Sequence, residues 1–206
     1  MNATHDLTTL ERAYPDAKYY LAFDTPFQLL LATILSAQCT DVVVNRTTPA
    51  LYARFKTPQD ILRSPVGELE GYIKSITFAS AKANHIRKAC AALVADFGSE
   101  VPRGMEQLTS LAGVGRKTAN AIQQNAFGIV EGVIVDTHVI RIANRLGWSA
   151  QKDPVKIEAD LMKRFPKGQW KRLPHILKAH GQRVCTAPRP KCSLCPLRET
   201  CPSREA

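Results

Sequence analysis

The sequence predicts an all-α fold, and three observations carry that prediction. Helix-start signals recur along the chain. Apolar residues follow each of them at helical spacing. Only one short run, Val133-Ile134-Val135, has strand character, and three residues do not make a sheet. With 206 residues, 45% hydrophobic and 22% charged, the chain is long enough for one large or two small domains with a sizeable core.

Taken in order, Thr8 with Glu11, and Thr25 with Pro26 and Gln28, read as capping boxes, in which a hydroxyl and a carboxylate or amide three residues on satisfy each other's backbone donors. Thr57-Pro58, Ser64-Pro65 and Asp153-Pro154 each place an N-cap residue before a proline at the first helical position. Ile61, Leu62 and Val66 lead into Leu69, Tyr72, Ile73 and Ile76. Ile86, Cys90, Leu93, Val94 and Phe97 share one helical face that stops at Gly98, a residue suited to a helix C-terminus. Val155, Ile157, Leu161, Met162 and Phe165 form a similar stripe. Cys39 and Cys90 fall inside apolar helical stretches and are expected to be packed core thiols.

Charge narrows the partner. There are 28 Lys and Arg against 18 Asp and Glu, a net +10, which favours a polyanion or an anionic membrane. The run Leu29 to Leu35 is far short of the roughly 20 residues needed to span a bilayer. The polar start, Met1 to Thr9, has no apolar signal-peptide core. The expectation is a reduced, intracellular protein that meets nucleic acid.

The C-terminal tail is the one break in composition. Cys185, Cys192, Cys195 and Cys201 are separated by six, two and five residues, among prolines and charges that cannot build a core of their own. Something else must order the segment. Disulfides suit secreted chains. Zinc commonly uses two short Cys-x-x-Cys knuckles, and only one is present here. Four cysteines can also hold an iron–sulfur cluster. Spacing alone leaves the metal readings open.

Residues 108–122 suggest a hairpin between two helices, the first ending near Ser110 and the second starting near Arg116. Gly113 and Gly115 flank Val114 and permit a tight turn. Their amides, with those of Arg116 and Thr118 at the helix start, make an anion site suited to a DNA phosphate. Lys117 then sits in the first turn of a helix, beside Arg116 and at the positive end of the macrodipole. Both effects favour the neutral, nucleophilic amine. Asp136 follows the Val133-Ile134-Val135 run and precedes a second stripe, Val139, Ile140, Ile142, Ala143 and Leu146, so it reads as an N-cap. A carboxylate in that place can also stabilise positive charge developing on a sugar. His138 reads as a structural residue, and His85, His175 and His180 form no constellation.

Together these residues resemble the endonuclease III family of helix–hairpin–helix DNA glycosylases and abasic-site lyases. The resemblance runs from Leu35-Ser36-Ala37-Gln38-Cys39-Thr40-Asp41, through Leu111 to Lys117 and Val135-Asp136-Thr137-His138, to the four-cysteine tail. It implies two helical domains with a DNA-binding cleft between them. A six-helix domain with the helix–hairpin–helix would cover about residues 22–130, and an iron–sulfur-cluster domain would combine residues 1–21 with 131–206. It implies a [4Fe-4S] cluster on Cys185, Cys192, Cys195 and Cys201. It gives Lys117 the attack on C1′ of a damaged nucleotide, with β-elimination following, and makes Asp136 the essential carboxylate.

The target nucleotide must leave the stack. Gln38 matches the family residue that fills the vacated space, and Phe78 stands where a wedge enters the stack. Arg183, Arg189 and Lys191 would face phosphates around the cluster. The implied activity is removal of oxidised pyrimidines from duplex DNA by a monomer in the cytoplasm, associated with the nucleoid. The chain departs from the common pattern at Thr77-Phe78-Ala79, at Ala112 in place of a usual proline and at Cys39 in place of a usual alanine, which bears on substrate range and turnover. A divergent paralogue with narrowed or weak activity, a monofunctional mismatch or uracil glycosylase and a non-catalytic repair accessory are the alternatives; Lys117 argues against the second, and retention of both Lys117 and Asp136 disfavours the third.

Overall fold

The structure, a computed structural model, describes residues 3–204; Met1 and Asn2 of the polar N-terminal run lie outside the described residues. Every regular element among the described residues is helical. None of these helices is long and apolar enough to cross a membrane. The chain divides into two compact units, one made of Met1–Tyr19 with Val130–Ala206 and the other of Tyr20–Ile129.

The continuous unit is built from α2 (Pro26–Leu35), α3 (Asp41–Arg54), α4 (Pro58–Arg63), α5 (Glu68–Tyr72), α6 (Ala79–Asp96), α7 (Met105–Ser110) and α8 (Arg116–Ala126). Pro65 keeps α4 and α5 apart. The residue before a proline is pushed out of the helical region, and Ser64 is extended at φ −70° and ψ 148°, so α4 and α5 stay separate. α2 is apolar on nearly every face from Leu29 to Leu35 because that stretch is buried, with α2 packed against α3, α6 and α8. Thr25 caps it by accepting from the Gln28 amide at 3.2 Å, and the Gln28 side chain accepts from the Asp24 amide at 2.7 Å. Thr57 and Asp60 complete a reciprocal capping box on α4, at 3.2 and 2.9 Å, and those hydrogen bonds hold the Asp60 carboxyl below the usual carboxylate range.

The split unit contains α1 (Ala3–Ala13), α9 (Thr137–Arg145), α10 (Pro154–Arg164) and α11 (Leu173–Arg183). Its core joins Leu7 and Leu10 of α1 to Val139 and Ile142 of α9, Ile157 and Leu161 of α10, and Ile176 and Leu177 of α11. Trp148 closes it, edge-on to Phe165 at 4.9 Å. α9 and α11 meet at Gly181, where an added Cβ would lie 2.7 Å from His138 Nδ1 and 2.9 Å from Ile142. That approach requires a residue without a side chain.

Several sequence expectations are corrected. Thr8 starts no helix: it lies inside α1, and its hydroxyl donates to the Thr4 carbonyl at 3.0 Å. Ser64 caps no helix start either, because its hydroxyl donates back to Ile61 at 2.7 Å. Hydroxyls at helix ends serve both uses, and the sequence does not distinguish them. Val66 and Val155, placed on apolar stripes, are 95% and 52% exposed, because each sits at a helix start where the stripe has not begun. Cys39 lies half-buried in the turn after α2 rather than inside a helix. Cys90 is a buried thiol, pushed up to about 12 by burial.

Candidate functional site

The hairpin joins α7 to α8 over residues 111–115. Leu111 and Val114 are buried and pin it, with the Val114 amide donating to Leu111 at 3.1 Å. Gly113 turns the chain at φ +82° against His85 of α6, whose Cβ lies 3.1 Å from where a Gly113 Cβ would be. Gly115 is the N-cap of α8 and has no side chain to offer the helix-start amides. Lys117 is exposed in that first turn, with Arg116 exposed beside it and Thr118 half-buried. An uncapped helix start carrying two cations is built to receive an anion.

Gln38 and Phe78 lie in the same unit, and both are exposed. Gln38 has φ +52° and Phe78 φ +60°; among the described residues only Ser99 is a further non-glycine residue with positive φ. Left-handed backbone at a bulky residue costs on the order of 1–2 kcal/mol. Two candidate DNA-contacting residues therefore carry strain that their surroundings must offset.

Asp136 belongs to the other unit, half-buried at the start of α9. Its Oδ1 accepts from the amides of His138 and Val139 at 2.8 and 2.9 Å. The preceding Val133-Ile134-Val135 is buried chain without strand pairing. His138 Nδ1 lies 3.2 Å from the Arg141 guanidinium, which donates, so the ring proton sits on Nε2. His175 is lowered to about 4, first by burial and then by Lys178, Lys171 and Arg172; the Asp136 charge pulls the other way.

The four tail cysteines are free thiols lining one pocket, together with Arg145, His180, Lys191, Arg198 and Arg204. Cys185, Cys195 and Cys201 also pack against the split unit's core. Arg145 Nη1 donates to Cys185 Sγ at 3.2 Å and to the Thr186 carbonyl at 2.9 Å. Burial pushes the Cys195 and Cys201 thiols up, and negative charge on neighbouring cysteines adds to it. Among the described residues no three His, Cys, Asp or Glu side chains converge on a single metal ion. The sulfurs instead form the wall of a shared pocket. Four soft donors around a common space, with cations lining the same pocket, fit an anionic, thiolate-bound iron–sulfur group. Arg183 pairs with both carboxylate oxygens of Asp16 and lies over the Tyr14 ring at 5.5 Å. Arg189 and Lys191 are exposed in the loop between the first two cysteines.

Residues 31–167 match the family model for the HhH-GPD superfamily base excision DNA repair protein. The chain is 46% identical over 204 residues to an endonuclease III from Synechocystis sp., covering 99% of this chain and 93% of the relative. It is 44% identical over 189 residues to an endonuclease III from Bacillus subtilis, covering 91% and 86%. The chain belongs to the endonuclease III family. A solved structure of a trapped endonuclease III–DNA covalent intermediate, an estranged-adenine complex, superposes with a TM-score of 0.93 at 41% identity, covering 98% of this chain and 94% of that one.

Within this family frame, two residues of this chain stand out that the sequence reading passed over. Lys82 is a buried cation on α6, and Arg145 reaches a cysteine sulfur. A signal for Lys82 was present: it lies four residues before Ile86 on the stripe that continues through Cys90 and Leu93, so a cation interrupts an apolar face. Arg145 carried no such signal, since its partner is forty residues away.

Proposed function

We propose that this chain is a bifunctional DNA glycosylase and abasic-site lyase of base excision repair that removes oxidised pyrimidines from duplex DNA. The observation that carries the reading is the exposed Lys117 in the first turn of an uncapped helix, behind a glycine hairpin, in a chain 41% identical to a protein trapped covalently on DNA. The hairpin amides would hold a backbone phosphate and fix the register of the duplex. Phe78 would enter the stack as the damaged nucleotide leaves it, and Gln38 would occupy the space beside the orphaned partner base.

Lys117 Nζ then bonds to C1′, and the base departs with the electrons of the glycosidic bond. Asp136 stabilises the positive charge that the sugar develops as that bond breaks. Loss of a proton from nitrogen and opening of the sugar ring give a Schiff base. Removal of a 2′ proton then expels the 3′ phosphate and cuts the strand, and water releases Lys117 from the remaining aldehyde.

Cys185, Cys192, Cys195 and Cys201 would hold a [4Fe-4S] cluster, which when bound cross-links the tail that has no core of its own. Exposed Arg189 and Lys191 add positive charge near it for the DNA backbone. The workplace is the cytoplasm, on the nucleoid, as a monomer.

Borohydride trapping tests the reading. The wild-type protein should form a covalent complex with duplex DNA carrying thymine glycol or an abasic site, and Lys117→Gln should form none. Absence of trapping on both substrates would remove the lyase assignment.

A further inference from the structure

Lys82 takes no part in the chemistry above, yet it is the most unusual cation in its unit. It is 5% exposed. Its partners are two main-chain carbonyls rather than a carboxylate: Nζ donates to Leu35 O at 2.8 Å and to Ala37 O at 2.6 Å. Burial works against the charge and lowers the amine below the ordinary lysine range, with negative charge at Cys39 acting in the opposite sense. Burying a cation without a counter-ion is costly. Its contacts indicate what it holds in place.

The Ala37 carbonyl belongs to the same planar peptide as the Gln38 amide, so fixing that carbonyl's direction restricts φ of Gln38. Gln38 is one of the two candidate DNA contacts with left-handed backbone, at φ +52°. The other, Phe78 at φ +60°, is the N-cap of α6, and its carbonyl accepts from the main-chain amide of Lys82 at 3.0 Å. The bond to Phe78 is the ordinary first backbone bond of α6; what the lysine side chain adds is a tie from the first turn of the helix that Phe78 caps to the peptide that carries Gln38. At 5% exposure the amine is withdrawn from solvent, which excludes it as a phosphate contact. Its two hydrogen bonds to carbonyls are charge-assisted and stronger than neutral ones, as restraint of a strained loop requires.

We propose that Lys82 is a positioning residue that locks Gln38 and Phe78 into one rigid pair of probes, so that wedging by Phe78 and gap filling by Gln38 occur together at the damaged base pair. The inference rests on the glycosylase reading above and concerns its extrusion step, not the attack by Lys117.

The test compares a substrate that must be extruded with one that need not be. Lys82→Met keeps the stem and removes the donors. On duplex DNA carrying thymine glycol it should lower single-turnover base release tenfold or more. Borohydride trapping on a single-stranded abasic oligonucleotide, which has no stack to enter, should stay within twofold of wild type. With 2-aminopurine beside the lesion, the rise in fluorescence on binding should shrink in parallel. In a double-mutant cycle, Lys82→Met combined with Gln38→Ala should be little worse than Gln38→Ala alone, because the lysine acts through that residue.

Equal losses on both substrates, no loss on the duplex, or fully additive losses in the cycle would each overturn the proposal. If Lys82→Met does not fold, as judged by circular dichroism, Lys82→Gln is put through the same comparison with the same criteria. Failure of wild type to trap either substrate would reject the parent reading itself, a result distinct from any failure at Lys82.

Discussion

Asp136 accepts the amide of Val139 through Oδ1, the same oxygen that accepts the amide of His138, at 2.9 and 2.8 Å. Capping α9 therefore commits one oxygen of the carboxylate, while the proposed stabilisation of the sugar uses its charge. The two uses separate by mutation. Asparagine keeps a carbonyl oxygen for both amides and loses the charge. Asp136→Asn should leave stability within about 0.5 kcal/mol of wild type, whereas Asp136→Ala should cost about 1 kcal/mol. Both should lose base release by at least about a hundredfold, in the range typical for removal of one charge-stabilising group. Urea unfolding and single-turnover kinetics on the same preparations check this. Full turnover in Asp136→Asn would mean the charge is not used.

The tail makes a second prediction. Its main-chain amides bond locally, such as Lys191 to Val184 at 2.9 Å and Cys201 to Leu197 at 2.9 Å, and its ties to the rest of the unit run through side chains, such as Arg145 on Cys185 and Thr186 and Thr200 on Asp6. A bound group that ties four sulfurs together is then a large part of its folding energy. The purified protein should be coloured, with broad visible absorption that bleaches as iron is lost. Cys192→Ser should lose the colour and open the bonds after Lys191 and Arg198 to trypsin. A colourless wild-type protein carrying stoichiometric zinc, or unchanged tryptic resistance in the variant, contradicts the assignment.

How far the sequence was legible depended on whether the cause was local. Thr25, Thr57, Asp136 and Asp153 cap helices where their spacing placed them, because a cap is formed within four residues. The turn at Gly113 and the start of α8 were readable for the same reason. Thr8 and Ser64 misled because a hydroxyl that bonds back to a carbonyl has the same local sequence as one that caps forward. Spacing could flag Lys82 as a cation on an apolar face but could name the partners of neither Lys82 nor Arg145, since what they hold lies 45 and 40 residues away. Gln38 and Phe78 were noticed for their place in a motif, but their left-handed backbone was not, because nothing in a glutamine or a phenylalanine announces positive φ.

His175 gives the protein an acid sensitivity. Its folded-state value of about 4 lies below the 6.5 of an unfolded histidine, chiefly through burial, with Lys178, Lys171 and Arg172 adding to it and Asp136 opposing. The unfolded chain binds the proton first. The contribution to stability is therefore whole above about pH 6.5 and is lost as pH falls toward 4, by at most about 3 kcal/mol. Urea midpoints at pH 7.5 and pH 5 should differ more for wild type than for His175→Gln, which has nothing to protonate. Equal pH dependence in the two proteins would show that this histidine titrates normally.

The two hairpin glycines should respond differently to the same substitution. At Gly113 an added methyl meets both obstacles, a backbone at φ +82° and the Cβ of His85 only 3.1 Å away. Gly113→Ala should cost about 1–2 kcal/mol and weaken DNA binding as a consequence of the displaced turn. Gly115 has φ −94° and nothing within 4 Å of an added Cβ, so alanine fits the free protein there. Gly115→Ala should keep stability within about 1 kcal/mol, the ordinary range for alanine at an N-cap. It should nevertheless weaken binding to a duplex, since the open space around Gly115 is where a phosphate would approach the α8 amides. Fluorescence anisotropy on undamaged duplex, read beside thermal unfolding, separates the two cases. If Gly115→Ala binds as tightly as wild type, the space beside it is not the phosphate seat, and the anion must sit on another part of the hairpin.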